Sequence, residues 1–276
     1  MTLVSTTKAE GFAPVEVVTG PLNAGLLLLC DHASNALPTS YGTLGLNDQQ
    51  FQRHIAYDIG AGAVTRALAK ALNAPALLTT FSRLLIDPNR GADDPTLIMQ
   101  LSDGAIIPGN AKLDEAERTT RIAKFWHPYR TAVDDTLKHM EQAGPLPVVL
   151  SIHSFTPLWK TTPRPWHVGL LWDSDPRLAQ PLINALEQES GLIVGDNEPY
   201  DGALRGDTLD DCVTAQGLAG TLLEIRQDLI ADSAGATAWA ERLARLLPPI
   251  LERADVRQRA FIPSRTGRHL SFTKTD

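Results

Sequence analysis

Four short segments carry side chains that could bind a metal or move protons, and each lies at the end of an apolar run or inside one. In chain order they are Asp31-His32-Ala33-Ser34-Asn35 after the run 26–30, Asp87-Pro88-Asn89-Arg90 after 84–86, His153-Ser154 after 148–152, and Glu224 within 222–225. Imidazole and carboxylate groups are common metal ligands and acid–base catalysts. One histidine at a strand end is more often a structural residue, so the four segments together are more informative than any one.

Two acidic residues, Glu224 and Asp58, are candidates for function because of where they lie in the sequence pattern. A carboxylate inside an apolar strand costs free energy unless it is paired, protonated or near a metal, so Glu224 is a strong candidate for function. His54 precedes Asp58 by four residues, and the spacing predicts that both lie on one helix face. That pair is either an ordinary hydrogen bond or a sign that Asp58 is a metal ligand. We interpret the remaining histidines as surface or structural residues.

The elements that must position these residues follow from the hydrophobic pattern. Six short apolar runs predict buried strands at 26–30, 76–80, 84–86, 148–152, 168–172 and 221–225. Their continuous apolar character favours strands covered on both faces. Helical spacing marks 51–71, 122–140 with a kink or a break at Pro128, a start at Asp175-Pro176, and 239–247. The alternation predicts an α/β fold, a single-domain three-layer sandwich with a mixed, mostly parallel central sheet. Ligands of such folds bind at the carboxyl ends of the strands.

Composition limits the class of protein. The 276 residues, 43% hydrophobic and 21% charged, are typical of a globular chain, predicted as one domain with a core at about 15–255 and a loosely packed polar tail at 262–276. The net charge of −7 argues against nucleic-acid binding, and two cysteines suit a reducing compartment. With no membrane-length apolar run and no signal-like N-terminus, we expect a soluble cytoplasmic protein.

The segments quoted above resemble the N-formylglutamate amidohydrolase family, in particular its branch of predicted N-formylglutamate amidohydrolases. The resemblance runs from about residue 26 to residue 230 and includes further family-like segments. These are His54-Ile55-Ala56-Tyr57-Asp58, Ser82-Arg83-Leu84-Leu85-Ile86-Asp87-Pro88-Asn89-Arg90, Trp126-His127-Pro128-Tyr129-Arg130, Ser151-Ile152-His153-Ser154-Phe155 and Leu223-Glu224-Ile225-Arg226. The family in turn resembles zinc carboxypeptidases, which implies a zinc-exopeptidase-like, or phosphorylase/hydrolase-like, fold.

The resemblance to carboxypeptidases implies roles for individual residues. His32 and His153 would be metal ligands, and Glu224 would be the catalytic base and acid. Asn35 stands where the carboxypeptidases have a zinc-binding glutamate, so we expect Asp58 to supply the third ligand, with Asn35 as the alternative. Carboxylates of the substrate would be bound by the remaining candidates, Arg83, Asn89, Arg90 and Arg205. The implied cofactor is a divalent metal, zinc by analogy.

The resemblance implies a metal-dependent amidohydrolase that cleaves a small anionic N-acyl amino acid, N-formyl-L-glutamate being converted to L-glutamate and formate. Two alternatives remain open: a hydrolase of the same fold acting on a short peptide or peptidoglycan fragment, and an inactive small-anion binding module. No nucleic-acid or membrane partner is expected. The sequence leaves the oligomeric state undetermined.

Overall fold

A seven-stranded sheet forms the centre of the protein, which a computed structural model describes for residues 11–267. The strands are β1 (Val15–Val18), β2 (Leu26–Cys30), β3 (Ala76–Thr79), β6 (Val148–Phe155), β9 (Val168–Leu171), β10 (Val194–Asp196) and β11 (Gly220–Arg226). Two short hairpins lie outside it, β4 (Leu101–Ser102) with β5 (Ala105–Ile106), and β7 (Leu158–Trp159) with β8 (Thr162–Pro163).

The sheet is mixed and mostly parallel, as predicted. Its spatial order is β1-β3-β2-β6-β11-β9-β10. The four neighbours β3, β2, β6 and β11 run parallel to one another. At one edge β1 is antiparallel to β3, and at the other β9 is antiparallel to β11 and parallel to β10. The carboxyl ends of β2, β6 and β11 therefore meet at one edge of the sheet.

Helices cover both faces and complete three layers. They are α1 (Ala61–Leu72), α2 (Glu115–Arg121), α3 (His127–Ala143), α4 (Pro176–Glu187), α5 (Thr208–Cys212) and α6 (Ser233–Leu251). On the first face, α1, α4 and α6 pack against alternate residues of the strands, such as Leu28 and Ile152. On the second face, α3 packs against the intervening residues, such as Leu29 and Val149. The helices leave part of this second face, around the ends of β6, β11 and β9, to loops.

The predicted strand at Leu84–Ile86 is wrong. These residues lie in turns within a third apolar cluster, which is formed by the loop between β2 and α1 together with the long segment between β3 and α3. Ser82 fixes the turn, because its hydroxyl donates to Ala56 O and accepts from Leu84 N. A short buried apolar run has the same pattern in a strand as in a packed loop, so periodicity could not separate them.

The predicted helix at 51–71 is also wrong in its first half. The structure has a 3₁₀ turn at Asp48–Gln52, and α1 begins only at Ala61. Gly60 ends the non-helical segment with φ of 81°, and a Cβ there would lie 2.1 Å from Ile230 O. His54 and Asp58 therefore do not share a helix face. The loop that replaces the helix is what allows Asp58 to reach the strand ends.

Near Pro128, where a kink or a break was predicted, the helical segment continues and changes its helix type. A π-helical turn at Ile122–Trp126 joins α2 to α3, and Pro128 lies in the first turn of α3. The start of α4 is as predicted, since Asp175 caps the helix by accepting from Arg177 N.

Only residues 262–267 of the predicted polar tail lie within the described residues; the remainder lies outside them. In this part Arg265 is anchored, with an ion pair of 2.7 Å to Asp201 and one of 3.2 Å to Asp173. None of the helices between residues 11 and 267 is long and apolar enough to cross a membrane.

Candidate active site

The strand ends and the loops above them enclose a pocket of about 360 Å³. His153 on β6 and Glu224 on β11 are register partners, so their side chains point to the same face of the sheet. His32 follows the end of β2, the neighbouring strand on the other side of β6. The pocket thus collects residues from three adjacent parallel strands, where α/β folds bind their ligands.

His32, Asp58 and His153 form a compact group of metal-ligand type. Each offers one donor atom, and the three atoms lie within 4.8 Å of one another. Asp58 Oδ2 is 3.2 Å from His32 Nδ1 and 2.8 Å from His153 Nδ1. All three side chains are buried. Two imidazole nitrogens and one carboxylate are a donor set that a divalent ion such as zinc accepts, with a position left for water.

The outer nitrogens of both histidines are held by carboxylates. His32 Nε2 donates to Asp87 Oδ1 at 2.7 Å, and His153 Nε2 donates to Asp31 Oδ2 at 3.0 Å. An ionised carboxylate can only accept, so Nε2 of each histidine is the donor toward its outer partner, while the Nδ1 atoms are the ones that face Asp58. Such outer partners orient the ring and raise its basicity toward a metal.

Asp31 is the most heavily hydrogen-bonded of these carboxylates. Besides His153, it accepts from Ser151 Oγ at 2.6 Å and from Thr208 Oγ1 at 2.5 Å. Burial alone would raise the pKa of Asp31, but the His153 and Ser151 hydrogen bonds and the histidine charges lower it. Burial alone would lower the pKa of His153, and the bonds to Asp31 and Asp58 instead raise it to about 10. Binding of a metal at Nδ1 would therefore displace a proton.

Arg83 holds two of the carboxylates in place. Its guanidinium donates to Asp87 Oδ2 at 2.7 Å and to Asp58 Oδ1 at 3.3 Å. Burial alone would raise the pKa of Asp87, but Arg83, followed by His32, lowers it well below its usual value. Arg83 lines the pocket, but it is already committed to two acidic partners. Arg83 is therefore better suited to positioning Asp58 than to binding substrate.

Arg83 Nε is buried and has no partner, and among the carboxylates of the site Glu224 is the one that departs from the pairing. Glu224 is 6% exposed, yet its Oε2 is buried and has no hydrogen-bond partner in the structure. Burial raises the pKa of Glu224 to about 7, although the neighbouring histidines and Arg83 oppose the shift. Gly169 is its register partner on β9, and a Cβ there would lie only 1.8 Å from Glu198 O. The loop after β10 therefore crosses close above Glu224 and brings Tyr200 to the pocket.

Comparisons with known proteins identify the family of this chain. Residues 24–231 match the N-formylglutamate amidohydrolase family. The chain belongs to this family. Because the match includes β2, β6 and β11, it covers every residue of the proposed site.

Two solved structures are similar to this member of the family. A gene product of Agrobacterium tumefaciens shares 37% identity and a TM-score of 0.80, over 86% of this chain and 94% of that chain. An N-formylglutamate amidohydrolase from Ralstonia eutropha shares 22% identity and a TM-score of 0.68, over 87% of this chain and 98% of that chain. The second likeness is one of fold alone. No curated protein matches the sequence.

Of the predicted substrate-binding residues, Asn89 and Arg90 line the pocket. Asn89 Oδ1 accepts from Thr208 N at 3.0 Å, which orients the amide and leaves Nδ2 for a ligand. The carbonyl of Arg90 accepts from Trp126 Nε1 at 2.9 Å, so its backbone is fixed. Arg205 is exposed and is not among the residues that line the pocket, so the structure does not place it with the others.

Asn35 is not positioned as a metal ligand. Its Nδ2 donates to Phe51 O at 2.7 Å, and its side chain is not part of the His32, Asp58 and His153 group. His54 lines the pocket, but it approaches Asp103, at 3.6 Å, instead of Asp58.

Several residues of the site were missed from the sequence, above all Asp31 and Thr208. Asp31 had a usable signal, because it directly precedes His32 at the end of a predicted strand. Thr208 had none: it is 177 positions from Asp31 and 119 from Asn89, and its hydroxyl and amide reach these residues only through the fold. Tyr200 and Asp207 also line the pocket, and neither was chosen from the sequence.

Proposed function

We propose that this protein is a metal-dependent amidohydrolase that cleaves a small N-acyl amino acid, with N-formyl-L-glutamate as the family substrate to test first. The observation that carries the proposal is one juxtaposition. A compact His-Asp-His donor group lies beside a buried glutamate with an unpartnered oxygen, in a pocket lined by an arginine and an asparagine. The family supports the reaction class, and the donor group supports the metal.

The donor set favours zinc. His32, Asp58 and His153 would hold the ion and leave a position open for water, which is the arrangement of hydrolytic zinc sites. When bound, zinc makes water a better nucleophile at neutral pH and polarises a carbonyl oxygen. Asp31 and Asp87 would keep both imidazoles oriented for this task through their hydrogen bonds to Nε2.

Glu224 would move the proton. Its free Oε2 accepts a proton from the water that attacks the acyl carbon, and it then donates the proton to the amide nitrogen as the C–N bond breaks. Water adds across the amide, so N-formyl-L-glutamate yields formate and L-glutamate. The strand β11 holds Glu224 at a fixed distance from His153, its register partner.

Arg90 and Asn89 would bind a carboxylate of the substrate. The guanidinium of Arg90 can form a paired hydrogen bond with a carboxylate, and Nδ2 of Asn89 can donate to the same group. Binding at this fixed point would place the scissile amide between the donor group and Glu224.

The cytoplasmic location predicted from the sequence remains a prediction.

Metal removal and restoration test the proposal. We expect chelator-treated protein to lose turnover of N-formyl-L-glutamate and related N-acyl amino acids, and one zinc ion per chain to restore it. Magnesium serves as the control, since it prefers oxygen ligands. Full activity after complete removal of metal would contradict the proposal. Zinc binding without turnover of any N-acyl amino acid or short peptide would instead indicate the binding module considered above.

A further inference from the structure

A buried arginine lies among aromatic side chains next to the pocket. Arg164 directly follows the hairpin strand β8, and its backbone N–H donates to Pro157 O at 2.9 Å. Its side chain is 9% exposed, and its guanidinium lies 4.9 Å from the ring centre of Tyr200, 5.3 Å from that of Trp159 and 5.8 Å from that of Phe155. The face of an aromatic ring attracts a cation, so the three rings hold this guanidinium in place.

The charge of Arg164 has no acidic partner within residues 11–267, since no carboxylate oxygen there forms an ion pair with it. Its Nη1 donates to Thr156 Oγ1 at 3.1 Å and to Thr156 O at 3.4 Å. Its Nε and Nη2 have no hydrogen-bond partner in the same part of the chain, yet they keep contact with solvent, unlike the sealed Nε of Arg83. A guanidinium with an unpaired charge and two free donors is suited to binding an anion.

Arg164 borders the pocket on the side of the sheet that carries the donor group. Phe155 comes two residues after His153 on β6, so both side chains point to the same face of the sheet. Two residues of a strand advance by about 6.6 Å, which places Phe155 beyond His153 in the direction of the strand end. Phe155, Thr156 and Tyr200 all line the pocket, and Arg164 contacts each of them. The guanidinium is therefore adjacent to this part of the pocket wall.

The Tyr200 hydroxyl lies within the electrostatic reach of both Arg164 and Glu224. Burial, followed by the charge of Glu224, raises the pKa of Tyr200, and Arg164 opposes this rise. The phenol therefore keeps its proton at neutral pH and can donate a hydrogen bond to an anion. Because the charge of Arg164 acts on this hydroxyl, a substrate group that binds the hydroxyl also meets that charge.

We infer that Arg164 selects substrates with a second carboxylate, which it binds together with the Tyr200 hydroxyl at the wall of the pocket. The inference rests on the proposed amidohydrolase function and names the residue that sets its preference for an acidic side chain. Arg90 and Asn89 would bind the α-carboxylate, while Nε or Nη2 of Arg164 would donate to the side-chain carboxylate. The surrounding rings exclude much of the water, which strengthens an ion pair formed there. The role expected for Arg205, which is exposed outside the pocket, thus passes to Arg164.

Two substrates of nearly equal size, N-formyl-L-glutamate and N-formyl-L-glutamine, isolate the second carboxylate. We expect the zinc-loaded full chain to have a kcat/KM for the first at least about tenfold above that for the second. Arg164→Met keeps an unbranched side chain among the rings but removes the charge, so this ratio should fall to about one. The loss should appear mainly in KM for N-formyl-L-glutamate, because Arg164 binds a part of the substrate that does not react. The kcat/KM for N-formyl-L-glutamine should stay near its wild-type value.

Two further variants control for effects on the fold. Arg205→Met removes an exposed arginine outside the pocket and should leave the ratio unchanged. Tyr200→Phe keeps the ring that contacts Arg164 and removes only the hydroxyl, at a side chain that is already exposed. We expect it to lower the ratio by about threefold or more, since a hydrogen bond to a charged group is lost. Melting temperatures of all three variants check that the fold is retained.

The outcomes separate the two proposals. Equal kcat/KM for the two substrates with wild-type protein, or an unchanged ratio in Arg164→Met, would overturn the role of Arg164 and leave the amidohydrolase function supported. Equal losses for both substrates in Arg164→Met, with a lowered melting temperature, would make Arg164 a structural residue. Loss of the ratio in Arg205→Met alone would return the role to Arg205. No turnover of either substrate, or of any other N-acyl amino acid, by zinc-loaded wild-type protein would overturn the amidohydrolase function, and the role of Arg164 with it.

Discussion

The two halves of the pocket differ in how completely their polar groups are paired. In the ligand half, His32, Asp58 and His153 are surrounded by partners, and each histidine nitrogen lies within 3.2 Å of a carboxylate oxygen. In the open half, Glu224 has an unpartnered oxygen and leucines as neighbours. Both halves are at the ends of adjacent parallel strands, so burial alone does not explain the difference.

The contrast indicates that the two halves have different roles, one holding the metal and the other transferring the proton. Ligands of a metal must be fixed in direction and protonation state, and a dense hydrogen-bond network does both. A group that exchanges protons with substrate and water must keep an atom free for them, so full pairing would prevent its function. The free energy lost by leaving Glu224 Oε2 unpaired is offset by packing elsewhere in the fold, as is common at functional sites.

The largest effect expected from the ligand half is loss of metal in His32→Ala. The substitution removes one donor atom, so metal affinity should fall by more than the roughly 10–100-fold typical of an outer-shell change. Arg83 still pairs with Asp58 and Asp87, so the fold should be retained. His54→Ala is the matched control, because His54 also lines the pocket but is outside the donor group. Equal metal content in the two variants would place the site elsewhere.

A second prediction separates the two candidates for the third ligand. Asp58→Ala should weaken zinc binding strongly, because it removes the oxygen that both Nδ1 atoms face. Asn35→Ala should leave zinc binding unchanged, since Asn35 is bonded to a backbone carbonyl of the loop. Zinc titration of both variants measures this. The opposite order would mean that the carboxypeptidase spacing is kept with an amide ligand.

A smaller effect is expected one step further from the metal, at Asp31→Asn. The NH2 of the new amide would face a hydrogen-bond donor, either Thr208 or the pair formed by Ser151 and His153. At least one hydrogen bond would be lost, and His153 would be held less firmly in its orientation. We expect a loss of metal affinity of roughly 10–100-fold. Ser151→Ala removes only one of the donors to Asp31 and should have less effect. Wild-type affinity in Asp31→Asn would show that the network does not tune the ligands.

The last of these effects is on stability instead of metal binding and concerns Asp207, which caps α5 by accepting from Asp210 N at 2.6 Å. Burial raises the pKa of Asp207 to about 7, from about 3.9 in an unfolded chain. The protonated form is thus favoured by the fold, and its contribution to stability is lost as the pH rises from about 4 to 7. Asp207→Asn keeps the cap and should not show this loss, a difference of the order of 2–4 kcal/mol at most.

Melting temperatures across that pH window measure the difference. The advantage of Asp207→Asn over wild type should grow from pH 4 to pH 7. Asp232→Asn makes the same substitution at the exposed cap of α6 and controls for the change of capping group. A constant difference for Asp207→Asn over the window would refute the raised pKa.

Much of the central sheet could be predicted from the sequence, because β2, β3, β6, β9 and β11 are continuous apolar runs in a buried sheet. The edge strands β1 and β10 were missed. They are short, and exposed or half-exposed residues interrupt their apolar pattern. The hydrophobic pattern therefore identified the strands that position His32, His153 and Glu224.

The loop residues of the site were harder to predict for a physical reason. Asn89 and Arg90 reach the pocket from a packed turn, not from the strand that we predicted at 84–86. Asp58 reaches it from a loop in place of a predicted helix. In both cases the residue types indicated the chemistry, while long-range contacts decided the backbone. The exposure of Arg205 and the role of Arg83 in holding Asp58 depend on those contacts as well.

The most direct test of these separate roles is Glu224→Gln, with zinc content, melting temperature and turnover all measured on the same variant. Glutamine keeps the size of the side chain but cannot carry the proton. We predict one zinc per chain, an unchanged or higher melting temperature, and turnover lower by about 10²–10⁴-fold. Turnover near the wild-type value would contradict the account, and loss of zinc would make Glu224 a ligand. A lowered melting temperature, with activity falling only as folded protein is lost, would make it a structural residue.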